Sequence, residues 1–133
     1  MNTQITEDYV SFETAKLLKE KGFDESTSMV YMSYGELCKL DRFESIRNSN
    51  YNGITKSYFK YTAPTLQMAM KWLREVHNIV IVTFPIRTVN GECKYNVSIY
   101  NTNAEHKKLI NKDYQPYEEA VETALKYCLE NLI

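Results

Sequence analysis

Cysteine and histidine are the residues of this chain that could bind a metal ion. The sequence has three cysteines, Cys38, Cys93 and Cys128, and two histidines, His77 and His106. No two cysteines form a C-x-x-C pair, and neither histidine lies at a metal-ligand interval from a cysteine, as a structural zinc site requires. We therefore predict no metal site and interpret the cysteines as small apolar side chains in a reducing compartment.

Nucleophilic catalysis would need a serine or cysteine beside a histidine. His77 falls at the predicted end of a helix, where an imidazolium ion meets the negative end of the helix dipole, so we predict a capping role for it. His106 lies in a polar stretch and is interpreted as solvated. Glu118, Glu119 and Glu122 form a carboxylate cluster, but helical spacing predicts that all three point away from the apolar stripe into solvent. We assign no catalytic residue and predict that the protein is not an enzyme.

Glycine is too sparse here to form a phosphate-binding loop. The four glycines lie at positions 22, 35, 53 and 91. Each falls in a predicted turn or helix end, whereas nucleotide-binding loops cluster their glycines between a strand and a helix. We therefore predict no cofactor.

Tyrosine is unusually frequent, with eleven tyrosines against five phenylalanines and one tryptophan. A phenol hydroxyl must be hydrogen-bonded or solvated, which favours a wet binding surface. Aromatic and basic residues alternate in the segment 39–61, where five basic and two acidic residues give a balance of +3. The candidate partner-binding residues all lie in this segment: Tyr51, Tyr58, Phe59, Tyr61, Arg42, Arg47, Lys56 and Lys60.

Three uses of this segment remain open. The first is binding of a protein partner through exposed tyrosines. The second is weak, salt-dependent binding of a nucleic acid or nucleotide, with bases stacked on the aromatic rings and only a few phosphates neutralised. The third is structural, with the tyrosines packing the segment onto a sheet. The first is our preferred interpretation, and nucleic-acid or nucleotide binding is the alternative.

Three predicted helices position these residues. Ser11 is a good N-cap for a helix that ends at Gly22. Pro64 is predicted at the first position of a second helix, which Asn78 ends in the left-handed conformation. Pro116 opens a last helix, whose apolar residues form a continuous stripe along one face.

The predicted strands form two hairpins. Residues 29–34 and 36–40 are expected to pair around a turn, and a second hairpin is expected around Asn90-Gly91, a sequence typical of type I′ turns. The stretch 41–62 is interpreted as a long loop with one extra short strand, and 101–115 as polar and turn-like.

Pro85 cannot donate to a strand ladder, so its strand is predicted at a sheet edge or at a bulge. The order helix, hairpin, helix, hairpin, helix predicts an α+β fold. We expect a single domain, 1–133, with one antiparallel sheet of four or five strands and the helices mainly on one face.

Length and composition agree with one soluble globular domain. The chain has 133 residues, 44% hydrophobic and 25% charged, with a net charge of −1. A chain of this size buries roughly two thirds of its unfolded surface, so it needs no disulfide. The near-neutral balance argues against a nonspecific nucleic-acid binder. No apolar run approaches the roughly 18 residues of a membrane helix, and the first ten residues have no basic region followed by an apolar stretch. We therefore expect no secretion signal and a cytoplasmic protein.

Three segments have distinctive sequences: FETAKLLKEKGFDE, APTLQMAMKWLREVHNI and YEEAVETALKYCLENLI. They resemble a family of small uncharacterised proteins encoded by bacteriophages, prophages and mobile elements of gut anaerobic bacteria. The resemblance covers residues 11–25, 62–79 and 116–133, and the basic segment lies outside it. It implies a phage or mobile-element origin in a bacterial cytoplasm. It carries no activity, substrate or site residue.

Overall fold

The computed structural model describes residues 5–41, 44–50, 59–102, 106–114 and 116–133, with the backbone path alone over 106–114. In chain order the elements are α1 (Phe12–Glu20), β1 (Met29–Met32), β2 (Leu37–Lys39), β3 (Phe59–Thr62), α2 (Leu66–His77), β4 (Ile79–Arg87), β5 (Cys93–Asn101), β6 (His106–Tyr114) and α3 (Tyr117–Asn131).

The class is α+β, but the predicted sheet is wrong. The described strands form two separate antiparallel sheets of three strands each, in the orders β2-β1-β3 and β4-β5-β6. The predicted helix-hairpin order is also wrong, because a third strand follows each hairpin. That strand is β6 in the second sheet, within the stretch predicted as turn-like. Its residues are mostly polar, and pairing with the backbone of β5 makes it a strand where composition does not.

The helices join the two sheets, so the prediction that they cover mainly one face of a single sheet is wrong. Helix α1 packs on β3 of the first sheet, and α3 packs on all three strands of the second sheet. Both α1 and α2 contact α3. Each sheet thus buries an apolar face against helices, and one core cluster includes residues of both sheets.

Helix α3 lies at the centre of this core. Its fully buried side chains recur at helical spacing: Ala120, Val121, Ala124, Leu125, Cys128 and Leu129. The predicted apolar stripe therefore faces the core. Pro116 stands at the N-cap position, where its side chain makes no capping hydrogen bond.

The helix ends follow local capping chemistry. Ser11 is the N-cap of α1, as predicted. Helix α2 begins two residues later than predicted, at Leu66, because Thr65 is its N-cap and accepts a hydrogen bond from Met68 N–H at 3.1 Å. Pro64 therefore precedes the helix. Asn78 ends α2 with φ 59° and ψ 33°, the predicted left-handed stop.

The two hairpins share one loop design, and it is not the predicted type I′ turn. In the second hairpin, Thr88 N–H donates to Glu92 O and Gly91 N–H donates to Thr88 O, both at 2.9 Å. Gly91 has φ +82°, whereas Asn90 does not have a positive φ. This is a three-residue loop in which a turn is followed by a left-handed glycine. Gly35, with φ +93°, has the same place in the first hairpin.

Candidate binding surface

The structure describes half of the predicted partner-binding residues. Four lie outside the described residues: Arg42, Tyr51, Lys56 and Tyr58. The other four are Arg47, before the 3₁₀ turn Asn48–Asn50, and Phe59, Lys60 and Tyr61 on β3.

Tyr61 belongs to the core. It is 7% exposed, and its ring packs edge-on against Phe12 with 5.2 Å between centroids. The ammonium groups of Lys19 and Lys60 each lie 5.7 Å from the centre of the Tyr61 ring. Lys60 is exposed, and Phe59 is half-buried. Tyr61 is therefore not an exposed ring, and the structural use of the segment fits it best.

Arg47 is tied to the connection that follows α1. Its Nη1 donates to the carbonyl oxygen of Asp24 at 2.7 Å. The backbone N–H of Ser49 donates to Asp24 Oδ1 at 2.7 Å. That hydrogen bond lowers the pKa of the Asp24 carboxyl, with a smaller contribution from the Arg47 charge. The guanidinium thus makes a contact that holds this segment in place.

Asn48 is a structural residue within the stretch 41–62, which was predicted as a long loop. Its side chain is buried, donates to Phe23 O at 2.8 Å and accepts from Thr62 N–H at 3.1 Å. A buried amide that uses both of its ends holds two distant segments together. Nothing in the local sequence distinguishes this asparagine from its neighbours Asn50 and Asn52.

Most of the described tyrosines do not form a wet surface. Tyr31 is buried, and its hydroxyl donates to Val10 O at 2.5 Å. Tyr95 and Tyr117 pack edge to face, 5.4 Å apart, between β5 and α3. Among the described tyrosines, Tyr34 alone is exposed. The rings of these tyrosines thus pack inside the protein, and the described tyrosines do not form one shared binding face.

Glu122 does not point into solvent, so that prediction is wrong. Its Oε1 accepts a hydrogen bond from Ser11 N–H at 3.1 Å and contacts the hydroxyls of Ser11 and Thr14. A carboxylate of α3 therefore caps the N-terminus of α1, where the helix dipole favours negative charge. Spacing along α3 could not reveal this contact, because the partner is more than 100 residues away.

His77 is not an imidazolium cap, which corrects the predicted role. Its ring packs edge-on against Trp72 at 4.7 Å, and its Nε2 is buried with no hydrogen-bond partner among the described residues. Burial lowers the pKa of His77, which favours the neutral ring. Asn78 ends the helix instead. The side chain of His106 lies outside the described part of the chain.

The cysteines occupy three different environments. Cys128 is fully buried, and burial raises the pKa of its thiol to about 12. Cys38 is half-buried, and Cys93 is exposed. Within the described residues, no group of three or more His, Cys, Asp or Glu side chains has a geometry that would hold a metal ion.

Two open grooves on the surface were compared for side chains that could act in catalysis. A groove of about 160 Å³ beside the start of α2 has a mixed polar and apolar lining, which includes Tyr9, Ser26 and Met68. A groove of about 510 Å³ between α1 and α3 is spanned by the ion pair of Glu13 and Lys126, at 2.6 Å. Neither groove contains a cysteine or a histidine, so neither places a nucleophile beside an imidazole base.

Strand β4 carries apolar side chains on both faces. Ile79 and Ile81 lie on the face that packs on the core. The opposite, outer face carries a row of Val80, Val82, Phe84 and Ile86, of which Phe84 is 42% exposed and the other three are half-buried. In the described part of the chain β4 pairs only with β5, so it is an edge strand, as Pro85 predicted. An apolar row at an open edge is a surface that soluble proteins usually protect.

Pro85 shows which backbone groups of β4 face β5. It is the Cα partner of Tyr95 in a ladder with no register shift. Because proline has no N–H, this pair cannot exchange two hydrogen bonds, and it is a non-hydrogen-bonded pair. Such pairs alternate with hydrogen-bonded pairs, so Phe84 and Ile86 bond to β5.

Hydrogen bonds at both ends of β4 agree with this alternation. Thr102 N–H donates to Asn78 O at 2.9 Å, and Thr88 N–H donates to Glu92 O at 2.9 Å. The even-numbered residues thus direct their backbone groups to β5. The odd-numbered residues direct theirs to the open edge.

The outer face also contains two polar atoms without partners. Asn96 Oδ1 and Ser98 Oγ, on β5, are buried and have no hydrogen-bond partner among the described residues. They lie beside Phe84 and Val82 in the register of β4 and β5. Ser98 is only 1% exposed. The outer face is therefore closed around Ser98 on β5 and open at Phe84 on β4.

Comparison with protein-family models, with curated proteins and with solved structures returns no match. None of the described helices has the length and apolar character needed to cross a membrane.

Proposed function

We propose that this protein is a non-enzymatic accessory protein of a phage or mobile element, and that it binds a host or phage protein in the bacterial cytoplasm. The observation that carries the proposal is the outer face of β4, where the apolar row meets an open sheet edge. Exposed apolar surface next to unpaired backbone groups is stabilised by association with another chain.

The environment of three potentially reactive side chains supports binding over catalysis. Glu122 is held by three donors of α1, Cys128 has no access to solvent, and His77 packs on an indole ring. An acid, a base or a nucleophile must reach a substrate, and these groups face other parts of the protein.

The basic segment supports the nucleic-acid alternative less than its composition suggests. Arg47 is bonded to Asp24 O, and Tyr61 is buried. Base stacking needs exposed aromatic faces, and phosphate binding needs several cations that point outwards. Protein binding through β4 is therefore the function that the described residues favour.

Affinity capture tests this function. Tagged protein is incubated with lysate of a gut anaerobic bacterium, captured proteins are identified, and each is purified and bound again. We expect one partner that binds the natural chain and binds Phe84→Asp at least tenfold more weakly. Val89→Asp is the matched control, because Val89 is fully exposed in the hairpin loop outside the apolar row.

Two results would contradict the proposal. One is that no captured protein binds again in purified form. The other is that Phe84→Asp and Val89→Asp bind with the same affinity as the natural chain, since the apolar row would then be unused.

A further inference from the structure

The open edge of β4 is not uniform along its length. The residues that direct their backbone groups outwards include Ile81, Thr83 and Pro85. Ile81 and Thr83 each present one N–H and one C=O, whereas Pro85 presents only a C=O. A strand that pairs with this edge therefore finds no N–H donor at Pro85. The backbone can be paired in full only in the first half of β4, from Ile79 to Thr83.

The chemistry of this edge selects an extended polypeptide. Successive outward-facing residues of a strand lie about 6.6 Å apart, and each offers a donor and an acceptor in the sheet plane. Another strand matches that spacing along its whole length, and this is the basis of recognition by strand addition. Its alternate side chains would lie next to Val82 and Phe84 on the outer face.

A second copy of the chain fits this edge poorly. The full pairing region ends at Pro85 on one side and at α2 on the other, since α2 ends at His77 just before β4 begins. Two rigid copies would meet along these few residues only, whereas a standard interface buries about 800 Å² per partner and involves about 20–30 residues on each side. A flexible segment can instead continue from the edge over the outer face and bury more of its own surface.

The charged residues at the hairpin end of β4 indicate which kind of partner side chain would lie there. Arg87 is exposed at the end of β4, and Lys94 on β5, the register partner of Ile86, lies near it on the opposite face of the sheet. Glu92, in the loop between the two strands, offsets one of these two positive charges. The remaining positive charge favours an acidic side chain on the part of the partner that lies near Arg87.

We propose that an extended segment of the partner adds to β4 as a strand between Ile79 and Thr83, with an acidic residue toward Arg87. This inference rests on the proposed function and specifies the partner's binding element. The segment bonds to the N–H and C=O of Ile81 and Thr83, and its apolar side chains cover Val82 and Phe84.

Peptide selection followed by amide exchange tests the inference. A displayed library of random 12-residue peptides is selected on the immobilised protein, and the most enriched peptide is synthesised. We expect alternating apolar residues with an acidic end. Residue-resolved hydrogen exchange should then slow at least tenfold at Ile81 and Thr83 when the peptide binds. The N–H groups of Val80 and Val82 already bond to β5 and should change little.

Either of two results overturns the inference. Enriched peptides that leave exchange at Ile81 and Thr83 unchanged would place the binding site elsewhere. A selection without enrichment would exclude an extended segment as the ligand. In both cases the proposed function is tested separately, because affinity capture compares side-chain variants of the outer face, Phe84→Asp and Val89→Asp, and does not measure backbone pairing at the edge.

A pair of variants at one position checks the backbone contribution. Thr83→Pro removes an outward-facing N–H without removing a bond to β5, and Thr83→Ala keeps that N–H. We expect the selected peptide to bind Thr83→Pro on the order of tenfold more weakly than Thr83→Ala. Equal affinities for two folded variants would overturn the inference. If Thr83→Pro does not fold, the exchange rates of the natural chain decide.

Discussion

Glu122 acts at the scale of a single residue, and its partners decide its energetic contribution. Replacing Glu122 with alanine leaves the N–H of Ser11 and the hydroxyl of Thr14 without their acceptor in a partly buried site. We expect Glu122→Ala to lower the free energy of unfolding by about 1–3 kcal/mol. Glu119→Ala is the control, because Glu119 is exposed on the same helix and should contribute less than about 1 kcal/mol. Urea denaturation measures both, and equal losses would contradict the capping role.

His77 gives the protein a stability that depends on pH. Burial lowers the pKa of the folded-state ring from 6.5, so the unfolded chain binds the proton more readily. The contribution of His77 is therefore present above pH 6.5 and is lost as the pH falls through 6.5 toward the lower folded-state pKa. The lowered carboxyl pKa values of Glu13 and Asp24 act below about pH 4.5, outside this window.

The comparison with His77→Phe isolates this effect. Phenylalanine keeps a ring against Trp72 and cannot bind a proton. We expect the free energy of unfolding of the natural chain to fall between pH 7 and pH 5, and that of His77→Phe to fall less. Parallel pH dependences would show that the ring is not held in its neutral form.

At the scale of the element, α3 stabilises the whole core because both other helices and the second sheet pack on it. Leu125 is fully buried at its centre, while Leu132 is half-buried just beyond its end. We expect Leu125→Ala to cost about 2–5 kcal/mol and Leu132→Ala clearly less, because truncation leaves a larger cavity where neighbours surround the side chain. Thermal denaturation measures both. Similar melting temperatures would mean that α3 is a peripheral arm.

At the scale of the whole molecule, Cys128 reports cooperative unfolding. Its thiol is fully buried and has a pKa of about 12, so a thiol reagent near pH 8 reaches it only when the core opens. Cys93 is exposed and should react within the mixing time of a colorimetric assay. We expect the labelling rate of Cys128 to follow the unfolding equilibrium as urea is added. A Cys128 that reacts as fast as Cys93 in native buffer would contradict a single closed core.

Local sequence patterns determined several of the helix ends and the positions of the hairpins. Ser11 as N-cap, Asn78 as left-handed stop and Pro85 on an edge strand each follow from the residue's own backbone and side-chain chemistry, which acts within a few positions. The α+β class follows from the alternation of such local signals. Even here the predicted turn type at Asn90-Gly91 was wrong, because the hydrogen bonds between Thr88 and Glu92 close a three-residue loop.

Tertiary structure alone decided how these elements meet. The division into two sheets, and the strand formed by polar residues in β6, depend on backbone pairing between segments that no side-chain periodicity encodes. Likewise, Glu122 and Asn48 have helix and turn positions that predict exposure, yet each bonds to groups far away in sequence. Long-range contacts fix these roles because a polar side chain removed from water must find its partner wherever the fold brings one.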